Sequence, residues 1–196
     1  MLKKMVLCLS LFSITTLTHA QTADKVYDQY LDFNLARFNN EFSKALLIGE
    51  SLLPNAYKLP AKAKTIFNYS MGKLYEDSSQ PDKAITYYEM VIAAEPEYYV
   101  PHRALGYLYL APVNELQKKM QAIKDPAERE KLLPQYKTAV LKALPHLEKA
   151  QACDQEEQTL AMIKLLYTNI KDTAGLTSLI NRLTTLGRNC VTVLSE

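Results

Sequence analysis

The chain has 196 residues and a net charge of +2, from 23 basic and 21 acidic side chains. Such a balance provides no basic stripe that could neutralise phosphates, so nucleic acid is excluded as an expected partner. Few glycines, no tryptophan and no run of alternating apolar and polar residues predict an all-α fold.

The first twenty residues have the pattern of a secretory signal. Lys3 and Lys4 precede an apolar run over residues 5–12, and Ala20 offers a small residue at the cleavage position. The alternative is a membrane anchor, but the apolar run is shorter than the ~20 residues that span a bilayer. We predict cleavage after Ala20. The product would be an exported bacterial protein, periplasmic or secreted, with no integral membrane segment and with 21 basic and 21 acidic side chains.

The mature chain begins with a predicted pair of helices in residues 21–64. The apolar positions between Asp24 and Pro54 recur at helical spacing, and Asn39 and Asn40 mark the turn. We interpret this pair as an amino-terminal cap that covers the end of a helical stack.

A more specific pattern lies between Thr65 and Tyr98, where the sequence predicts a helix, a short turn and a second helix. Gly72 has no Cβ, so we expect the two backbones to approach closely where Gly72 faces Ala84. Pro81 suits the first turn of the second helix. The apolar stripes are Phe67, Met71, Leu74 and Tyr75 in the first helix, and Ala84, Ile85, Tyr88, Val91 and Ile92 in the second.

A related but longer hairpin follows. Residues 100–110 carry Leu105, Gly106 and Tyr109 at the same spacing, and the matching return helix carries Ala143, Leu147 and Ala150 after an insertion at residues 111–135. Val113, Leu116, Met120 and Ile123 predict a helix within this insertion, and Asp125-Pro126 predicts the start of a second one. The insertion either packs against the hairpin or projects as an amphipathic arm. Pro145 interrupts the hydrogen bonding of the return helix by removing a backbone donor, and it predicts a kink there.

Residues 156–196 predict a last hairpin. Its helices run from about Glu156 to Ile170 and from about Gly175 to Gly187, and it resembles a cap more than a further copy of the pattern. Cys153 and Cys190 fall at the same end of this hairpin. In an oxidising compartment we predict a disulfide between them, the alternative being two free thiols.

The spacing of Met71, Gly72, Tyr75, Ala84 and Tyr88, followed by Pro96, resembles the tetratricopeptide repeat of about 34 residues. The resemblance covers two repeats in residues 65–155 and implies an antiparallel-hairpin α-solenoid that binds protein or peptide partners in a concave groove. Its first helices would line that groove, the alternative being that these side chains are merely exposed. The implied groove residues are Ile66, Tyr69, Lys73, Glu76, Arg103, Tyr107 and Leu110.

Residues suited to catalysis are few. His102 and His146 are expected to be ordinary structural or surface histidines, and His146 with Cys153 is too small a set for a zinc site. No catalytic motif or phosphate-binding loop is present, so we predict no catalytic residue, metal or cofactor. The predicted function is a non-catalytic exported scaffold that binds a protein or peptide in the cell envelope.

Two other functions stay open. The first is an enzyme or enzyme subunit with a pocket between the insertion and the groove. Such a pocket would gather two or more titratable groups, which the sequence does not predict. The second is a structural envelope protein that self-assembles through its end hairpins.

Overall fold

A computed structural model describes residues 12–194, with side chains from Lys25 to Leu194. The predicted signal peptide falls largely outside this range, so cleavage after Ala20 stays a prediction. Within the described residues the fold is all-α, as the sequence predicts, and an isolated parallel β-bridge joins Tyr98 to Val191. The helices are α1 (Phe12–Phe38), α2 (Phe42–Leu52), a 3-10 helix (Leu53–Lys58), α3 (Ala61–Asp77), α4 (Pro81–Ala94), α5 (Tyr99–Leu108), α6 (Leu110–Ala122), α7 (Pro126–Glu130), α8 (Leu133–Cys153), α9 (Glu157–Asn169) and α10 (Thr173–Leu186).

α1 and α2 form the first hairpin. The turn contains Asn40 in the left-handed region, with a φ of 59°, a conformation that asparagine tolerates better than most residues. Tyr30 and Phe33 of α1 and Ala45 of α2 are fully buried. The Phe33 ring also meets Phe67 of α3 edge to face, with ring centres 5.0 Å apart, so α1 packs on the second hairpin as well as on α2.

α3 and α4 form a close hairpin. A Cβ built at Gly72 would lie 2.8 Å from the Tyr88 ring, so glycine is required where this large aromatic side chain crosses the neighbouring helix. The expected close contact therefore exists, but the nearest atoms belong to Tyr88 rather than to Ala84. Pro81 is the first residue of α4, which suits its missing N–H.

α5 pairs with α8, although α6 and α7 separate the two helices in sequence. A Cβ at Gly106 would lie 2.7 Å from Leu147, which repeats the glycine contact of the preceding hairpin. α6 packs on α8 through the buried Val113, whereas α7 is exposed. Asp125 accepts a hydrogen bond from the Ala127 N–H at 2.9 Å and so caps α7. α8 continues through Pro145, which has no N–H to donate to the helix, and the predicted kink stays a prediction.

α9 and α10 pack on α8 and complete the array. The predicted disulfide is confirmed, because Cys153 and Cys190 are bonded with their Cα atoms 5.6 Å apart. Beyond α10 the chain turns back toward the loop between α4 and α5, where it makes the bridge to Tyr98.

Candidate functional site

Four of the predicted groove residues lie on α3. Ile66, Tyr69 and Glu76 are half-buried and Lys73 is exposed. The Tyr69 ring packs 5.3 Å from the ring of Tyr98, between centroids. Lys73 pairs with Asp77 at 2.7 Å, and Glu76 accepts a hydrogen bond from the Tyr88 hydroxyl at 2.6 Å.

Two further predicted groove residues, Arg103 and Tyr107, connect α5 to the start of α9. Arg103 forms ion pairs with Asp154 at 2.8 Å and Glu156 at 3.3 Å. The Tyr107 hydroxyl lies 2.9 Å from that of Thr159. The polar ends of both side chains are therefore occupied within the chain, which fixes the junction between α8 and α9.

Leu110 does not belong to the groove. It is 7% exposed and is part of the hydrophobic core. Its expected position assumed a helix that continues to Leu110, but α5 ends at Leu108 and Leu110 begins α6. The change of helix direction turns Leu110 inward, so this assignment is wrong.

A cleft that sequence reasoning missed lies between α1, the start of α2 and α3, with a volume of about 460 Å³. Phe38, 84% exposed, and the exposed Phe42 stand at its edge. Arg37 also lines it, and burial lowers the pKa of this guanidinium. Two phenylalanines flanking the Asn39-Asn40 turn are the sequence signal that could have indicated this surface. The lining residues are Asn34, Arg37, Phe38, Phe42, Ser70, Lys73, Leu74 and Asp77.

A cluster of titratable groups lines a pocket of about 570 Å³ beside α8 and α10. The buried Glu148 carboxylate accepts hydrogen bonds from the Tyr167 hydroxyl at 2.5 Å and from Arg182 at 2.7 and 2.9 Å. The expectation that no pocket gathers two titratable groups is therefore wrong. Burial, followed by the hydrogen bond to Glu148, raises the pKa of Tyr167. Because these groups pair with one another, they link α8, α9 and α10.

His102 and His146 form a pair that the sequence did not indicate. Their Nδ1 atoms lie 3.1 Å apart, and Nε2 of His102 lies 3.1 Å from the Pro96 carbonyl. Since a carbonyl oxygen only accepts, Nε2 of His102 donates to it, and in the neutral pair Nδ1 of His146 donates to Nδ1 of His102. Burial lowers the pKa of both rings. For His146, burial together with the charge of His102 lowers it to about 4.

The C-terminal segment, defined as residues 187–194, is hydrogen-bonded to Lys149 of α8. The side chain of Lys149 on α8 is 6% exposed and donates to the carbonyl oxygens of Leu186 at 3.1 Å and Asn189 at 2.6 Å. It also pairs with the Glu97 carboxylate. A buried ammonium group requires such partners, so Lys149 fixes the path of the chain as it leaves α10.

Among residues 12–194, no group of three or more histidine, cysteine, aspartate and glutamate side chains is arranged to hold a metal ion. Within that same part of the chain, no helix combines the length and the apolar character needed to cross a bilayer. The sequence matches no protein-family model, no curated protein and no solved structure.

Proposed function

We propose that the protein is a non-catalytic, exported scaffold of stacked helical hairpins that binds protein or peptide segments in the cell envelope. The observation that carries the proposal is the cleft between α1 and α3. Phe38 and Phe42 expose large aromatic surfaces there, beside the cationic groups of Arg37 and Lys73. Aromatic and arginine side chains dominate binding hot spots because they combine large contact area with directional polar groups.

Other features support this proposal. A segment with an apolar side chain and a nearby carboxylate would match the phenylalanines and Arg37 of the cleft, since Lys73 is already paired with Asp77. The Cys153–Cys190 disulfide supports export, since such bonds persist in oxidising compartments. The tetratricopeptide resemblance, with hairpins that contact in sequence order, supports the solenoid part of the proposal.

The test is site-specific photo-crosslinking in the native envelope. A photoreactive residue would replace Phe42 and, in a control, Ile180, which is also an exposed apolar residue but lies on α10. We expect one partner to crosslink at position 42 and not at position 180. Binding of that partner, purified, should weaken about tenfold or more in Phe42→Ala and stay unchanged in Ile180→Ala. Equal crosslinking at both positions, or unchanged binding in Phe42→Ala, would contradict the proposal.

A specific observation favours self-assembly as a second function. Leu31, Leu35 and Phe38 recur at helical spacing on α1 and are all exposed, so an apolar stripe faces away from the core. Such a stripe at the end of a stack can pair with a second copy. Light scattering would test this, with a dimer expected for the mature protein and a monomer for Leu35→Glu. A monomer in both would exclude it.

A further inference from the structure

The C-terminal segment binds the protein as an added strand would. The Val191 N–H donates to the Glu97 carbonyl at 2.8 Å, and the Val191 carbonyl accepts from the Tyr99 N–H at 3.3 Å. The two bonds flank Tyr98 and form a parallel bridge. The loop between α4 and α5 therefore offers a short backbone edge to an extended chain, which is how many domains recognise extended peptides.

Side chains of the C-terminal segment share a cleft with residues of α3. Val191, Val193 and Leu194 line a cleft of about 190 Å³ together with Ile66, one of the predicted groove residues. The other lining residues are Lys62, Thr65 and Glu95. The occupant that fits this position is an extended segment with aliphatic or β-branched side chains, because the chain itself places such a segment there.

The C-terminal segment is firmly attached to the rest of the protein up to Cys190 and only weakly attached after it. Up to Cys190 it is fixed by the disulfide and by the two carbonyl bonds to Lys149. After Cys190 it has the two backbone bonds of Val191, and the side chain of Val193 is 72% exposed. Beyond Asn189, the last residue whose carbonyl is bonded to Lys149, the disulfide keeps residues 191–194 next to a site to which they are otherwise weakly attached.

We propose that residues 191–194 are a redox-controlled latch on a site for extended aliphatic peptides, formed by the Glu97–Tyr99 backbone and Ile66. With the disulfide closed, the latch occupies the site. With the disulfide open, the latch leaves and the site accepts an extended segment of a partner protein. This rests on the proposed function, because it names the regulation and the partner chemistry of a second cleft on α3 of the same scaffold.

The controlling step is thiol–disulfide exchange with a dithiol reductant. A thiolate of the reductant attacks one sulfur, the Cys153–Cys190 bond breaks, and a mixed disulfide forms. The second thiol of the reductant then displaces the protein sulfur. Cys153 and Cys190 end as two thiols after taking up two protons, and the dithiol ends as a disulfide. Cys190 is exposed, so a reductant can reach the bond.

Hydrogen exchange in the full mature chain tests the latch without any substitution. We expect the amides of Val191 and Tyr99 to be protected in the oxidised protein and to exchange at least tenfold faster after treatment with dithiothreitol. The amide of Tyr109, which donates to Leu105 within the array, is the control and should not change. Unchanged exchange at Val191 and Tyr99 after reduction would overturn the proposal.

Peptide binding tests the site itself. The probe is a labelled peptide of residues 188–196 with Cys190→Ser, and its control carries Val191→Asp and Val193→Asp as well. We expect the probe to bind a variant that lacks residues 191–196 at least tenfold more tightly than it binds the oxidised full-length protein. The truncated variant keeps Cys190 and the Lys149 contacts. Reduced full-length protein should bind the probe with an affinity between those of the truncated variant and the oxidised full-length protein. The control peptide should not bind.

Three results would overturn the inference. The first is no binding to a truncated variant whose circular dichroism is unchanged. The second is equal binding to oxidised and truncated protein. The third is dimerisation in light scattering of the reduced protein but not of the oxidised protein, which would make the occupant the tail of a second copy. Photo-crosslinking at position 42 probes the other cleft, between α1 and α3, and does not depend on the latch. Failure of the latch and failure of the scaffold proposal are therefore distinguishable.

Discussion

The hairpin of α3 and α4 and the carboxy-terminal region of α8, α9 and α10 are stabilised in different ways. The first is closed by a turn of three residues, Ser78 to Gln80, and by the close contact of Gly72 with Tyr88. The second relies on a buried ionic network at Glu148, a buried lysine and a disulfide. Apolar packing dominates the first region, and polar and covalent links between distant segments dominate the second.

The difference follows from how much chain each contact must order. A short turn brings α3 and α4 together at a small entropic cost, so packing of apolar faces is sufficient. The carboxy-terminal region must also hold an extended segment that has no helical hydrogen bonds of its own. Directional contacts, such as those of Lys149 with the carbonyls of Leu186 and Asn189, provide that order.

The largest expected effect comes from breaking the ionic network. Glu148→Ala leaves the Tyr167 hydroxyl and Arg182 without their buried acceptor. Because the Arg182 side chain is one-third exposed and also donates to the Gly175 carbonyl, the free energy of unfolding should fall by about 3–4 kcal/mol, toward the lower end for a buried pair. Urea unfolding measures this. The control is Glu128→Ala on α7, where the exposed pair with Lys131 should contribute less than about 1 kcal/mol. Equal losses in both variants would show that the network does not dominate this region.

Removing the disulfide is expected to have the next largest effect. Cys153→Ser combined with Cys190→Ser opens a loop with a sequence separation of 37 residues, and we expect a loss of about 2–4 kcal/mol. The measurement is urea unfolding of the variant beside the oxidised and reduced wild type. The reduced wild type should match the variant. If all three unfold at the same urea concentration, the bond contributes nothing to stability.

A substitution in the hairpin of α3 and α4 tests how far close apolar packing stabilises that region. Gly72→Ala places a methyl group against the buried Tyr88 ring, and the strain should exceed the gain in helix propensity by about 1–2 kcal/mol. Thermal unfolding measures the loss. In a double-mutant cycle with Tyr88→Leu, the cost of the alanine should largely disappear. Additive losses would show that Tyr88 is not the source of the strain.

The smallest expected effect concerns pH. His146 has a folded pKa of about 4, below the ordinary 6.5, so below pH 6.5 the unfolded chain binds more protons than the folded chain. Stability should therefore fall as the pH drops from 6.5 to 4, by about 1–2 kcal/mol after allowance for partial exposure to solvent.

Comparing the wild type with His146→Gln separates the loss of stability caused by protonation of His146 from the loss caused by protonation of carboxylates. Charged groups near the pair are Glu89, Glu97, Lys142 and Lys149. Unfolding of wild type and His146→Gln at pH 7.5, 5.5 and 4.5 should show a steeper decline for the wild type. Parallel declines would mean that the histidine pair does not control the loss.

Much of the fold could be predicted from the sequence because its signals are local. The stripes of α3 and α4, the Asn40 turn and the start of α4 at Pro81 each depend on residues a few positions apart. The disulfide could be predicted because a short hairpin necessarily returns its two ends to the same place. The burial of Leu110 was not predicted, because its position depends on where α5 ends, and periodicity does not locate helix ends well.

Two of the contacts that sequence analysis missed join segments far apart in the chain. His102 and His146 are 44 residues apart, and Lys149 and Glu97 are 52 apart. No periodic pattern connects such positions, and each side chain alone resembles an ordinary surface residue. The cleft beside Phe38 has one wall from α1 and the other from α3, and its local sequence signal is limited to the two phenylalanines that flank the Asn39-Asn40 turn.

The sequence by itself determined the all-α class and most helices and their turns, and it indicated which two cysteines could pair. These depend on apolar periodicity, on turn residues and on the short distance between adjacent segments. Only the tertiary structure decided that Gly72 accommodates Tyr88, that Leu110 is buried, and that the C-terminal segment lies on α3. Those outcomes depend on how helices pack across long sequence separations, where side-chain shape and the pairing of buried polar groups select one arrangement among many.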